Sequence, residues 1–506
     1  MRGLRIARKA LDARRRGGTR RLAWVYHVDV VLDARRKSPR LVEALRSGRV
    51  KETPRLGVLE VRERPEVWRT AGLPPVVIVG SGPAGLFAAL TLARNGVRCV
   101  IVERGPKVEQ RNRHVVRFHR TREVDPERNL LFGEGGAGTY SDGKIYTRVD
   151  DPLEVPLLEV LVECGAPPAI TYDSLAHIGT DKLHRILPRL RERMLALGVE
   201  FRFDTRFEGL VADAGRVRAV RTSQGELACA ALVLALGHSA RDTWLALAAQ
   251  GVAFEAKPFQ LGLRIEHPQE LVDRGRYGAR LPELGAASYG LVCKAGDGLP
   301  AAFSFCMCPG GRIVASVNEP GLLCTNGMSN SKHSSAWASA ALVTTFGARE
   351  FGPGAFDGVA FQRALEQRFF TAGGSDYTAP AQGARDFLEG RETAHPRHST
   401  YTFGTRPGRL DELLPPLGRV AIARALEHFE RNLRHFSSNE GQFVGLESRS
   451  SGPLRMPRDD ATRRARGFEN LYPVGEGAGY AGGIMSAALD GANSAQALIT
   501  HPSLAT

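Results

Sequence analysis

The 35 residues from Ala71 to Gly105, AGLPPVVIVGSGPAGLFAALTLARNGVRCVIVERG, constrain this chain more than any other segment. Val76-Val77-Ile78-Val79 is a short β-branched run of the kind buried on both faces of a parallel sheet. Gly80, Gly82 and Gly85 follow in G-x-G-x-x-G spacing. Leu86, Ala89, Leu90 and Ala93 then recur at i, i+3, i+4 and i+7, giving one apolar helix face. Gly96 stops the helix, and Cys99 to Val102 forms a second buried strand ending at Glu103 and Arg104. The glycines serve the tight turn, close approach of backbone to a pyrophosphate, and helix–strand packing. The helix N-terminus offers free N–H groups and partial positive charge to phosphate. Glu103 lies 23 residues after Gly80, near the ~20-residue offset of an acid that binds ribose hydroxyls. A lone G-x-G-x-x-G is often just a glycine-rich turn. Strand, glycines, helix, second strand and acid in register predict a dinucleotide site, with Gly80, Gly82, Pro83, Ala84, Gly85, Glu103 and Arg104 as its contacts.

At 506 residues the chain is long enough for three or so units, and 43% hydrophobic content suits a large core. The uncharged stretch from Thr70 to Ala93 is interrupted by Gly80 to Gly85, so it is no membrane span. The N-terminus is basic and lacks the apolar core of a secretory signal and the serines of a transit peptide, which points to the cytoplasm. Seven cysteines (99, 164, 229, 293, 306, 308, 324) fit reduced thiols better than a disulfide framework. Net charge is +15, but residues 1–70 hold 20 Lys/Arg against 8 Asp/Glu and so carry +12 of it. The rest is nearly balanced.

The expected fold class is α/β: a Rossmann-like dinucleotide-binding domain with an inserted substrate or cap domain and a small N-terminal α/β module. Residues 1–72 form the module, with a strand over Leu22 to Leu32 and a short helix capped by Ser38. Residues 73–257 and 441–506 form the dinucleotide-binding domain, and 258–440 the substrate domain, read as shorter strands and long loops. Within the first part, a helix from Leu183 to Leu197 precedes a strand at Val199 to Phe203. Strands over Val217 to Arg221 and Leu227 to Leu236 follow, the second ending at Gly237, where a crossover would pass over the cofactor. The Gly133 to Gly143 segment is glycine-rich enough for backbone to approach a ligand, with Gly136 and Gly138 as its contacts; a flexible surface loop is the other reading.

Asn470 to Gly491 repeats the logic of the first motif: apolar strand, Gly475-Glu476, a glycine-rich turn through Gly482 and Gly483, then a small-residue helix from Ile484. Two such segments bracket the chain, whereas one suffices for an NAD dehydrogenase. This arrangement resembles the two-domain flavoproteins of the glutathione reductase and p-hydroxybenzoate hydroxylase type. That resemblance implies bound FAD: pyrophosphate on the first turn, adenosine ribose on Glu103, and the ribityl–phosphate portion near Glu476. The late helix would then point its N-terminus at the flavin. Phe207 is a candidate for backbone contact with adenine, or an ordinary core aromatic. The chain also resembles a bacterial family of FAD-dependent dehydrogenases, or NAD(P)/FAD-dependent oxidoreductases. The matching segments include FGEGGAGTYSDGK (132–144), HIGTDKLHRI (177–186), KPFQLGLRIEHPQ (257–269), SFCMCPGG (304–311) and GEGAGYAGGIMSAALDG (475–491). The resemblance implies redox chemistry and leaves the substrate open.

In the substrate domain, Cys306 and Cys308 face one side of a strand, but redox pairs usually read C-x-x-C and a zinc site needs four ligands. Buried structural thiols are the favoured reading there, and no metal site is expected. Arg449, Arg264 and His267 are the candidate substrate contacts, Arg449 foremost because guanidinium binds carboxylates bidentately. An Arg264–Glu266 ion pair, an Arg449–Glu447 ion pair and a structural His267 are the alternatives. Tyr277 and the Met328 to Ser335 run are candidates to line an entrance, with a solvated loop the equal alternative for the run. The expected activity is hydride transfer between a small, anionic substrate or NAD(P)H and non-covalent FAD, with NAD(P)H as a transient reductant. Flavin monooxygenase is an alternative. A nucleic-acid-associated flavoprotein is another, its +12 module binding electrostatically while Trp24 and Tyr26 stack.

Overall fold

The computed structural model describes residues 3–16, 19–20, 22–32, 38–63, 65–69 and 72–501. Arg2, Arg21, Arg35, Arg36, Lys37 and Arg64 of the basic segment, Thr70 and Ala71 at its end, and residues 502–506 lie outside the described residues. Five short parallel strands build the first sheet, in the order Leu471–Pro473, Ala231–Leu234, Val76–Val79, Cys99–Val102, Glu200–Arg202. Their β-branched runs are buried on both faces, as parallel strands with helices on each side must be. The strand read over Leu227 to Leu236 is instead two. Gly225–Ala228 joins a separate antiparallel sheet with Arg216–Thr222 and Phe207–Asp213, and Ala231–Leu234 turns into the parallel one.

The Pro83–Arg94 helix departs from the amphipathic expectation. Every residue from Ala84 to Ala93 is buried, because the Ile484–Thr500 helix covers the face that solvent would otherwise meet. Gly491 permits that approach: a Cβ there would lie 2.0 Å from the Ala84 carbonyl oxygen. The two glycine turns therefore open side by side although 390 residues separate them.

The second large sheet has seven strands, in the order Val292–Cys293, Ala302–Cys308, Trp337–Phe346, Phe259–Pro268, Gln442–Glu447, Ala379–Gly383, Thr405–Pro407. The expectation of shorter strands fails here. Phe259–Pro268 and Trp337–Phe346 pair along ten residues each, because their alternating apolar side chains meet a core built with the Asp357–Ala372 and Pro416–Asn432 helices. The sheet also extends past residue 441, since Gln442–Glu447 pairs with Phe259–Pro268. In the N-terminal module, Ala23–Val31 pairs antiparallel with Gly3–Asp12, and Ser38 caps the Pro39–Arg46 helix by accepting from the Leu41 N–H at 3.3 Å. No described helix is long and apolar enough to cross a membrane.

One buried carboxylate joins the two sheets. Glu366, on the Asp357–Ala372 helix, accepts two bonds from Arg241 (2.9 and 2.9 Å) and two from Arg449 (2.9 and 2.8 Å). Arg241 opens the helix that follows the parallel strand Ala231–Leu234. Burial alone would raise the Glu366 carboxyl, but the two guanidinium groups outweigh it and hold the group well below its ordinary 4.5. A depressed carboxyl contributes stability that is complete above the unfolded pKa and is lost as pH falls through the folded one. Glu366→Ala should therefore cost about 3–5 kcal/mol by leaving two buried cations unmatched. Thermal melts at neutral pH measure that cost. Melts below about pH 4.5 should show the wild type losing its advantage over the variant.

Candidate functional site

A cavity of about 1540 Å³ opens between the two sheets. That exceeds the ~300–1,000 Å³ of an ordinary ligand pocket, and it is lined by both glycine turns at one end and by the seven-stranded sheet at the other. At the first turn, Gly80 has φ +106° and a Cβ there would sit 2.3 Å from the Ala235 carbonyl oxygen. A Cβ on Gly85 would lie 1.9 Å from the Gly80 carbonyl oxygen, so Gly85 serves helix–strand packing and does not line the cavity. Gly82 does line it and has no heavy atom closer than 3.9 Å to its notional Cβ. The Pro83–Arg94 helix thus presents an uncovered N-terminus to the cavity.

Glu103 ties the turn together. Its Oε2 accepts from the Ser81 N–H and hydroxyl, each at 2.8 Å, while Oε1 accepts from the Gly105 and Gly133 N–H groups, each at 2.9 Å. The neighbouring Arg104 bonds to Glu127 (2.7 and 2.9 Å) and Asp242 (3.0 and 2.9 Å) and lies 4.3 Å from the Phe132 ring, forming cavity wall. The Gly133 to Gly143 segment is no flexible loop. Arg111, fully buried, donates to the carbonyls of Leu130 (2.8 Å), Glu134 (2.7 Å) and Gly136 (2.9 Å) and pins it.

At the second turn, a Cβ on Gly138 would meet Ile484 at 2.9 Å, so the pinned segment abuts the start of the late helix. Gly482 has nothing within 4 Å of a notional Cβ, and at Gly483 only the Ser486 hydroxyl comes that near, at 3.9 Å. Glu476 is half-buried, and its carboxyl accepts no hydrogen bond among the described residues. Burial pushes it up to about 8, with Lys257 opposing. Gly136, Gly237, Gly475 and Phe207 also line the cavity, Phe207 with its body in the core. Two uncovered helix N-termini, glycines that leave room along the wall, and an unpartnered carboxyl fit a dinucleotide cofactor stretched from one turn to the other.

The sheet end corrects the expected substrate contacts. Arg264 is fully buried and bonds Glu447 at 3.0 Å, Ser339 at 3.1 Å and the Cys306 carbonyl at 3.0 Å, with no surface on the cavity. Its strand sits mid-sheet, so its guanidinium meets the neighbouring strand's carboxylate and not Glu266, which accepts from Thr400. His267 is a core residue: Nε2 meets the Phe436 carbonyl at 2.7 Å, and burial pushes it down to about 4, leaving it neutral. Arg449 does reach the cavity wall, but its guanidinium is taken by Glu366, Asn318 and Ser239.

The groups that face the cavity there are Lys144, Asp142, His177, His333, Cys306 and Glu447. Lys144 bonds Asp142 at 2.6 Å, His333 meets the other Asp142 oxygen at 3.2 Å, and the His177 and His333 rings stack at 4.0 Å. Burial opposes the charge of Asp142, but Lys144, His333 and Ser329 hold it below the usual carboxylate range. Tyr277, Ser331 and Lys332 lie on the wall, as the entrance reading had them. Lys144 and His177 stand in the conspicuous segments FGEGGAGTYSDGK and HIGTDKLHRI, yet only the fold pairs them, through a single bridge between two loops.

Two family models match the chain. The FAD binding domain model matches residues 74–228, and the model for the FAD-dependent protein C-terminal domain matches 258–450. An uncharacterised protein of Clostridium beijerinckii is 39% identical over 453 residues, covering 88% of this chain and 83% of its own. The chain belongs to this family of FAD-dependent proteins. It is an FAD-dependent oxidoreductase, and FAD is its cofactor. Tetracenomycin B2 monooxygenase-dioxygenase of Streptomyces olivaceus is 28% identical over 167 residues, 30% of each chain. Among solved structures, glycine oxidase from Bacillus cereus covers 85% of this chain and 98% of its own at 11% identity and a TM-score of 0.34. L-proline dehydrogenase from P. horikoshii covers 85% and 95% at 12% identity and 0.32.

Glu103→Ala would leave the buried N–H groups of Ser81, Gly105 and Gly133 without their acceptor, at about 1–3 kcal/mol for each group that finds no replacement. FAD titration and thermal melting should fall together, and Glu103→Gln should lie between. A variant that melts like the wild type would show that Glu103 does not hold the turn.

Proposed function

We propose that this oxidoreductase is of the dehydrogenase type, exchanging a hydride between FAD and a small substrate held against the Lys144 wall. The observation that carries the reading is one continuous cavity joining the two glycine turns to Lys144, His177 and His333. FAD supplies the hydride acceptor and donor. Gly82 and the Pro83–Arg94 helix take the pyrophosphate, and Glu103 takes the adenosine ribose once the Ser81 hydroxyl, the one side-chain donor among its four, turns away. Glu476, its carboxyl raised by burial, hydrogen-bonds the ribityl–phosphate portion. The Ile484–Thr500 helix turns its N-terminus to the flavin and stabilises negative charge there.

Lys144 is the substrate's anchor. Burial works against its ammonium, but negative charge on the Cys308–Cys306 pair and on Asp142 keeps it charged. An ammonium held in place by Asp142 and flanked by two histidines favours a carboxylate or a polarised carbonyl. His177, pushed down to about 4 by burial and by His333, is neutral and serves as a hydrogen-bonding partner. NAD(P)H enters the same cavity as a transient reductant in this reading.

The match to the Streptomyces monooxygenase-dioxygenase favours hydroxylation as a second reading. The N-terminal module is taken as cavity wall in preference to a nucleic-acid anchor, because Lys9 and Trp24 line the cavity and Lys9 lies 4.3 Å from the Trp24 ring. An anaerobic screen of small acids, carbonyl compounds and NAD(P)H for bleaching of the flavin tests the proposal. Lys144→Met should keep its FAD but slow reduction by the effective compound roughly 10- to 150-fold, the equivalent of about 1.5–3 kcal/mol. Wild-type kinetics in that variant would remove Lys144 from the substrate site. NADPH-dependent oxygen uptake with product hydroxylation would decide for the second reading.

A further inference from the structure

Cys306 and Cys308 occupy a built irregularity. The Ala302–Cys308 strand follows its neighbour in register as far as Phe305–Ala341, then resumes at Cys308–Ser339, so one extra residue is inserted between them. Cys306 takes φ +44°, a left-handed conformation that a side-chain-bearing residue adopts only at a cost. The surroundings hold it there. Arg264 donates to the Cys306 carbonyl at 3.0 Å and to the Cys308 sulfur at 3.3 Å, and the Met307 side chain between them is buried in the sheet's core. Gly327 allows the guanidinium that close: a Cβ on it would lie 1.6 Å from Arg264 Nη2 and 2.7 Å from the Cys308 sulfur.

The consequence is an asymmetric pair. Cys306 lines the cavity, on the wall it shares with Lys144, whereas Cys308 is wholly buried behind it. The Cys308 thiol donates to the Cys306 backbone carbonyl at 3.3 Å. Hydrogen bonding from Cys308 lowers the Cys306 thiol well below its ordinary value; burial opposes this, and Lys144 and Arg264 add to it. The same bond and burial push Cys308 up. A cavity-facing thiol with a second thiol buried directly behind it is the arrangement of an attacking and a resolving cysteine. The remaining five cysteines (99, 164, 229, 293, 324) are buried and show no such pairing. A C-x-C spacing ordinarily argues against redox work, but here the bulge turns the Cys308 sulfur back to 3.3 Å from the Cys306 carbonyl and sets both residues against one guanidinium.

We infer that Cys306 and Cys308 are a redox-active dithiol on the wall of the FAD cavity, cycling between two thiols and one intramolecular disulfide. In the oxidising direction the two S–H bonds break and the S–S bond forms. Two electrons and two protons leave the pair, and FAD is their acceptor. In the reverse direction the reduced cofactor returns them. Cys306 is the sulfur that an external small thiol or disulfide reaches from the cavity, and Cys308 is the one that resolves the mixed disulfide. This inference rests on FAD occupying the cavity as proposed above.

The test uses the full-length, FAD-loaded protein. After treatment with diamide and blocking of free thiols, peptide mapping should recover the 306–308 peptide unalkylated and lighter by two hydrogens. Anaerobic dithionite titration of that oxidised protein should consume four electrons per FAD, two for the flavin and two for the disulfide. Cys306→Ser and Cys308→Ser should each consume two. Alkylation of both thiols in the oxidised, FAD-loaded wild type would overturn the dithiol while leaving the FAD reading intact. So would a disulfide whose presence leaves the flavin titration at two electrons. A protein that carries no FAD would instead overturn the underlying reading and, with it, the acceptor named here.

Discussion

The carboxylate of Glu103 is the point on which the cofactor end of the molecule turns. Four donors from three separate stretches of chain, Ser81, Gly105 and Gly133, converge on its two oxygens. A carboxylate offers about four acceptor sites, so the group is saturated by protein and buried at 5% exposure. It fixes the glycine turn against the second strand, and through Gly133 it fixes the segment that Arg111 pins from the other side. With those loops held, Gly82 and Gly136 face the cavity as bare backbone, and the first helix keeps its N-terminus open.

A second theme is the use of buried cations as internal scaffolding. Arg111 holds a loop by its carbonyls, Arg264 shapes the bulge at Cys306, and Arg241 and Arg449 clamp one glutamate between the two sheets. Each guanidinium is matched by acceptors of defined geometry, which is what makes burial of the charge tolerable. Lys144 differs in standing on the cavity wall with one carboxylate partner. The chemistry of the site follows from that contrast: buried arginines set the shape, and the cavity wall carries an ammonium, two histidines, two carboxylates and a thiol.

Legibility in the sequence followed the range of the interactions. The first βαβ unit is local, so strand, turn, helix and acid could be read directly, and so could the echo of that pattern at Gly475. Strand length in the substrate domain depended on long-range pairing between Phe259–Pro268 and Trp337–Phe346, and local composition understated it. Arg264, Arg449 and His267 were attractive as residue types, but their partners Glu447, Glu366 and Phe436 come from other strands, helices and turns. Lys144, His177 and His333 meet only because three loops converge, and no spacing encodes that convergence. The left-handed backbone at Cys306, which separates an active arrangement from a buried pair of thiols, has no signature in the motif CMC.

In the proposed binding mode one cavity holds FAD between the two glycine turns, with its reactive ring against the Lys144 wall. A crystal structure of the FAD-loaded protein tests it most directly. The account predicts the adenosine end beside Glu103, the pyrophosphate at Gly82, and the isoalloxazine ring between the N-terminus of the Ile484–Thr500 helix and Lys144. An isoalloxazine ring bound elsewhere, with Lys144 and Cys306 out of its reach, would contradict it.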